Sequence, residues 1–108
     1  MKLIPTLREK KRYVLFEVEG AGILNQADVE DLTSKALLSF LGELGVMRAA
    51  PLLVKEKIKS NRFVLKVNHR FVDELKSAMI LIKSIKNKPV LVRSINTSGT
   101  LKKISEYL

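Results

Sequence analysis

At 108 residues the chain has room for one domain with a modest core. With no cysteine and a single histidine, His69, it cannot hold disulfides, zinc–thiolate sites or iron–sulfur clusters, and the composition argues against a histidine-based metal site or triad. Twenty Lys/Arg against eleven Asp/Glu give a net charge of +9, which points to a polyanion partner, most often nucleic acid, or else to a generally basic, soluble surface.

Residues 1–10 contain Pro5 and read as an arm. The run Lys11-Arg12-Tyr13-Val14-Leu15-Phe16-Glu17-Val18-Glu19 is rich in aromatic and β-branched residues, as a strand is. Tyr13 and Leu15 project to one face and Val14 and Phe16 to the other, so this strand is expected to be central and covered on both sides. Asn25 with Asp28 forms a capping-box pattern, and Val29, Leu32, Ala36, Leu37, Phe40, Leu41 and Leu44 follow at helical spacing up to Gly42 and Gly45. Asp28, Glu30 and Asp31 fall in the first turns, where they offset the helix dipole.

From Val46 to Ile58 the pattern turns β-like, with Pro51 marking an edge or bulge. Lys55, Lys57 and Lys59 would share one face of that strand, about 6.6 Å apart. That is near the scale of successive phosphates, although lysines on an edge also simply resist strand pairing. Phe63 to Val67 makes the returning strand, and Asn68 can cap a second helix whose stripe runs from Phe71 to Ile85, widened by Ile80 and Leu81. After Asn87-Lys88-Pro89 come a last strand, Val90 to Ile95, and a terminal helix entered by Ser98-Gly99-Thr100. Leu101, Ile104 and Leu108 form its stripe.

The order is β-α-β-β-α-β plus a C-terminal helix. It predicts an α+β fold, the ferredoxin-like, RRM-like sandwich of RNA-recognition modules, with an arm at 1–10, a core at 11–97 and the terminal helix at 98–108. Such a sheet carries its helices on one face, and the terminal helix or a partner protein would cover the other. No apolar N-terminal run resembles a signal peptide and no segment reaches transmembrane length, so a soluble, cytoplasmic protein with no membrane contact is expected.

Catalytic chemistry finds little support. The Ser-Gly-Thr lacks a nucleophile-elbow context, and the loop Gly20-Ala21-Gly22-Ile23-Leu24 lacks the arginine of acylphosphatases on this fold. Base stacking on an open sheet is also disfavoured, because Asn61-Arg62-Phe63-Val64-Leu65-Lys66-Val67 has one aromatic and no glycine. What remains is backbone contact by Lys and Arg, and a phosphate seat or ordinary cap at Ser98-Gly99-Thr100.

These residues carry a resemblance. Pro5-Thr6-Leu7-Arg8-Glu9-Lys10-Lys11-Arg12-Tyr13-Val14-Leu15-Phe16-Glu17-Val18, Gly42-Glu43-Leu44-Gly45, Asn68-His69-Arg70 and Ser98-Gly99-Thr100-Leu101-Lys102-Lys103 together resemble archaeal ribonuclease P protein component 2, the family of the eukaryotic Pop-five subunit. Leu101 departs mildly from the family's Ile, and the tail after Lys103 is short. The resemblance implies a single domain of that family, acting as a non-catalytic subunit of the ribonucleoprotein that removes the 5′ leader of precursor tRNA. The RNA subunit would perform the Mg²⁺-dependent hydrolysis, and the protein itself would bind no cofactor. Implied partners are the ribonuclease P RNA, protein component 3, precursor tRNA as the substrate of the whole, and a second copy joining two heterodimers into a heterotetramer.

From both lines, RNA-backbone contact is expected at Arg12, Lys55, Lys57, Arg70, Arg93, Lys102 and Lys103, with Ser98, Gly99 and Thr100 as the phosphate seat. Protein contact is expected at Tyr13, Leu101, Ile104 and Leu108. The rivals are a stand-alone basic RNA-binding module, for example ribosome-associated, which should bind RNA tightly alone, and a small-molecule domain on the same fold, which should show a ligand-dependent melting shift. Charge reversal tests the lysine strand: Lys55→Glu with Lys57→Glu should lower the activity of the assembled enzyme and its salt dependence, and no change in either would leave these residues a solvated edge.

Overall fold

Val14, Leu15 and Phe16 are consecutive in the chain and each is fully buried, so the first strand is dry on both faces. The computed structural model describes residues 10–20, 22, 24–54, 58, 61–85 and 88–108. Its elements are β1 (Lys11–Glu19), α1 (Gln26–Ala49), β2 (Leu52–Leu53), β3 (Arg62–Asn68), a 3₁₀ turn (His69–Phe71), α2 (Val72–Ile80), β4 (Ser84–Ile85), β5 (Lys88–Pro89), β6 (Leu91–Ser98) and α3 (Leu101–Ser105). The main sheet has the order β2-β3-β1-β6, with β1 antiparallel to both neighbours. This is the expected ferredoxin-like α+β arrangement.

The even residues of β1 build the larger core. Val14, Phe16 and Val18 pack with Phe63, Leu65, Val67 and Val92 beneath Val29 and Leu37 of α1 and Leu75 and Met79 of α2. Phe16 faces Phe63 in register, and their rings stack with centroids 5.5 Å apart at 25°, a pairing that adds about 0.5–1.5 kcal/mol beyond its area. The odd residues need a second cover, and α3 supplies it: Ile104 sits on Leu15, Val54 and Val64, with Tyr13, Ile95, Leu101 and Leu108 around them. Ile104, expected to touch a partner, is fully buried within the chain. It is a core residue, because the odd face of β1 would otherwise stand in water.

The capping box of α1 forms as the sequence predicts, whereas Asn68 caps the 3₁₀ turn before α2, and α2 itself begins without a side-chain cap. The Asn25 side chain accepts from Asp28 N at 2.8 Å while Asp28 Oδ2 accepts from Asn25 N at 3.3 Å, satisfying two donors at the start of α1. Asn68 Oδ1 accepts from Arg70 N at 3.0 Å, capping the 3₁₀ turn that leads into α2.

Two boundaries differ from the sequence reading. Val46 to Ala49 is helical: α1 breaks at Gly42 (φ 72°, ψ 174°) and resumes. It closes only at Ala50, in the left-handed region (φ 49°), whose N–H bonds Val46 O. The turn at Gly42 needs a glycine, since a side chain is strained at that φ. After Pro51, Leu52 and Leu53 pair with β3, and Lys55 and Lys57, expected on the same strand, lie outside the described residues. The second helix stops at Ile80, so Ile80 and Leu81 are exposed rather than part of a buried stripe. The chain then reverses through the short β4–β5 ladder to enter β6. That return passes close to the end of β1, where a Cβ on Gly20 (φ +93°) would meet Pro89 O at 2.8 Å.

Because Ile104 alone plugs the odd-face core from α3, Ile104→Ala should cost about 2–5 kcal/mol. Urea unfolding measures this, and Leu101→Ala, at a partly exposed position, should cost less.

Candidate nucleic-acid interface

Antiparallel pairing decides which cations meet. The start of β1 lies beside the ends of both β3 and β6: Lys11 is opposite Asn68, Arg12 opposite Val67, and Tyr13 opposite Lys66 on one side and Ser98 on the other. Lys10, Lys11, Arg12, Lys66, Arg70, Lys102 and Lys103 therefore come from the start of β1, the end of β3 with its 3₁₀ turn, and the first turn of α3 to one end of the sheet. These seven cations sit on or beside four elements that meet only because the fold brings those ends together. Lys66 Nζ lies 5.9 Å from the Tyr13 ring centroid, within cation–π range.

The joints at this end are specific. Arg12 lies against Gly99, where a Cβ would come within 3.3 Å of Arg12 Nη1, so the glycine leaves room for the guanidinium. Lys10 O accepts from His69 N at 2.8 Å, and His69 Nδ1 stands 3.1 Å from the same carbonyl, placed to donate in its Nδ1–H tautomer. The single histidine is thus a fastener between the start of β1 and the end of β3.

Ser98-Gly99-Thr100 is built as a cap. Thr100 Oγ1 accepts from Lys103 N at 3.4 Å and Ser98 Oγ accepts from Thr100 N at 3.2 Å. Two of the amides that a phosphate seat would present are thereby already bonded in the chain, and the asset of this segment is the exposed charge of Lys102 and Lys103.

Of the expected RNA contacts, Arg12, Arg70, Ser98, Gly99, Thr100, Lys102 and Lys103 share this end. Arg93 does not. It lies opposite Glu17 near the other end of β1, where its Nη2 is 2.7 Å from Glu17 Oε1 and 2.8 Å from Glu19 Oε1. The other Glu17 oxygen takes Arg62 Nε at 2.7 Å. Arg62 Nη1 in turn donates to Tyr107 O at 2.6 Å, just past α3. The sequence reading missed this network, although the alternation that puts Leu15 on the α3 side puts Glu17 there too. A carboxylate on a half-dry strand face needs a cation.

The hydrogen bonds from Arg93, and then from Arg62, hold the Glu17 carboxyl below the usual glutamate range against its desolvation, and Glu17 raises the Arg93 guanidinium.

The helical layer has a different character. Leu38, Phe40, Leu44 and Met47 of α1 and Leu52 of β2 are exposed, Met47 by 76%. A groove of about 480 Å³ runs between α1 and β2 past Leu38, Val46 and Leu52. Another, of about 590 Å³, lies between α1 and the end of α2, past Phe40 and Leu81. No helix among the described residues is long and apolar enough to cross a membrane.

The Rpp14/Pop5 family model matches residues 12–108. Ribonuclease P protein component 2 of Thermococcus kodakarensis is 35% identical over 102 residues, covering 94% of this chain and 85% of its own. The protein of that name from Methanocaldococcus jannaschii is 38% identical over 101 residues, covering 94% and 74%. A chain in the cryo-EM structure of yeast ribonuclease MRP superposes with a TM-score of 0.69 at 16% identity, over 99% of this chain and 94% of that one, and so shares the fold.

Since Glu17 is held below its ordinary value in the folded state, its contribution to stability is complete above the unfolded value of about 4.3 and is lost as pH falls through the lower folded value. The gap in urea midpoint between the native chain and Glu17→Gln should be constant from pH 7 to about 5 and should shrink below pH 4.

Proposed function

The chain belongs to the Rpp14/Pop5 family, and from that premise we propose that it is a non-catalytic protein subunit of ribonuclease P, supporting the catalytic domain of the RNA subunit as it removes the 5′ leader of precursor tRNA. The observation that carries this reading is the convergence of Arg12, Arg70, Lys102 and Lys103 at one sheet end by strand register. Cations on separate elements, fixed relative to one another, neutralise phosphates at set positions and help RNA helices approach, without reading sequence. The hydrolytic Mg²⁺ belongs to the RNA in this reading, and no residue of the chain is assigned to it.

The covered sheet argues against a stand-alone RNA-recognition module. Leu15 and Val64, in the middle of the face such modules use for stacking bases, are sealed under Ile104. Protein contact therefore moves from the α3 stripe to the helical layer. There α1 carries Asp28, Glu30, Asp31 and Glu43 against Lys35 and Arg48, so it repels RNA while its exposed leucines, phenylalanine and methionine offer apolar anchors. Protein component 3 is the partner for that face, and a second copy of the heterodimer joins through this chain.

Reconstitution tests the assignment. The chain, component 3 and the cognate ribonuclease P RNA should cleave precursor tRNA at moderate Mg²⁺, and the rate should collapse when this chain is omitted; independence from the chain at several Mg²⁺ concentrations overturns the assignment. In the same assembly Lys102→Glu with Lys103→Glu should weaken RNA binding and flatten its salt dependence, by about one unit of log–log slope per lysine.

A further inference from the structure

The network around Glu17 does more than satisfy a half-buried carboxylate, because one of its arms ends on the segment that carries Lys102 and Lys103. We propose that Glu17 and Arg62 are positioning residues for RNA binding: they latch the far end of the α3 segment, and so fix its two lysines relative to Arg12 and Arg70. The proposal rests on the basic-end reading given above.

The physical case begins with length. A helix of five residues cannot hold itself, since isolated helices of that size do not pass nucleation. Its placement must come from anchors, and the structure shows three. At the entrance, the chain leaves β6 at Ser98, beside Tyr13, and Gly99 packs on Arg12. In the middle, Ile104 enters the core above Leu15 and Val64. At the exit, the chain continues as turns bonded back to Lys103, Ile104 and Ser105, and the carbonyl of Tyr107 accepts from Arg62. The terminal carbonyls of a helix have no partner of their own, and a guanidinium there both bonds and offsets the dipole.

Arg62 can serve only if its own direction is fixed. Glu17 does this by accepting Nε at 2.7 Å, which leaves Nη1 aimed at Tyr107 O. Arg93 on the opposite strand holds the other Glu17 oxygen, so the carboxylate is gripped from both neighbours of β1 and cannot swing. The entrance anchor and Ile104 alone would leave the segment free to pivot about the plug. With the exit latched, the angle is set, and with it the spread between Lys102, Lys103 and Arg12.

This gives an effect opposite in sign to bulk electrostatics. Glu17→Gln raises the net charge from +9 by one, which should strengthen binding to a polyanion if charge alone mattered. On the latch model it weakens binding, because one or two phosphate contacts are lost through misplacement. The experiment titrates full-length chain against its ribonuclease P RNA from 50 to 200 mM salt for the native chain, Glu17→Gln, Arg62→Lys and Lys102→Glu, with urea midpoints and amide hydrogen exchange for each. Expected for Glu17→Gln is about three- to ten-fold weaker binding at 200 mM salt with a log–log slope shallower by about one, and faster exchange confined to residues 101–108. Arg62→Lys keeps the charge but cannot grip both partners, and should behave in the same way. Equal or tighter binding by Glu17→Gln with an unchanged slope overturns the proposal. So does a weakening explained by the unfolded fraction alone, which lowers the bound amplitude but leaves the slope untouched. Should Glu17→Gln not fold, Arg62→Lys decides, with selective exchange in 101–108 supporting the latch and uniform exchange overturning it. An unchanged slope in Lys102→Glu would instead reject the basic-end reading itself.

Discussion

Everything in this fold follows from a first strand that has no wet face. Three successive fully buried residues, Val14, Leu15 and Phe16, require an apolar cover on each side of the sheet, whereas an antiparallel four-stranded sheet of this topology has helices on one side only. The second cover must come from elsewhere in the chain or from outside. Here it is the last eight residues, with Ile104 as the plug. The same requirement removes the surface on which related folds stack bases, so the choice of core and the mode of RNA contact are one constraint.

Charge is then sorted by geometry more than by composition. The cationic excess lies wholly in residues 55–108, with thirteen Lys/Arg against four Asp/Glu, but the fold sends Lys11, Arg12, Lys66 and Arg70 to one end of the sheet and places Arg62 and Arg93 at the other, each beside Glu17. At the first end the cations are half-buried or exposed, and no ion pair ties them to an acidic side chain among the described residues. At the second, Glu17 and Glu19 absorb them. The acidic α1 occupies the opposite layer from α3, and its exposed apolar side chains are therefore set apart from the basic end. A subunit that must hold RNA with one surface and protein with another needs this separation, because a shared surface would mix apolar anchors with charges that resist desolvation.

How much of this could be read in advance depended on whether the signal was local. The two-faced burial of β1 was visible in Tyr13 to Phe16, and the caps at Asn25 and Asn68 were visible because side chain and amide lie within three residues of each other. The helical turn from Val46 to Ala49 was not. Its apolar residues suit a strand equally well, and only the packing of Ala49 in the core and the closure onto Ala50 decide between the two. The early end of α2 was hidden for a similar reason: Ile80, Leu81 and Ile82 continue the apolar stripe, but the chain must turn back in time to reach the edge of β1. Arg93 was misplaced because its meaning is set by a cross-strand partner 76 residues away. Register is a property of the whole sheet, and one sequence does not display it.

The terminal segment shows how these levels join. On its own it is too short to be a helix, and its sequence, two lysines framed by leucine and isoleucine, would suit a disordered basic tail equally well. It becomes an ordered element because the odd face of β1 needs Ile104, because Gly99 admits Arg12, and because Arg62 donates to the Tyr107 carbonyl at its end. Order in turn changes what its lysines can do. Charges on a mobile tail neutralise phosphates wherever they meet them, at an entropic cost for each one held. Charges on a docked helix are placed before RNA arrives, so the cost is borne by folding and the binding becomes selective for phosphates at matching positions. In this chain the residues that make the core also turn general basicity into a shaped surface.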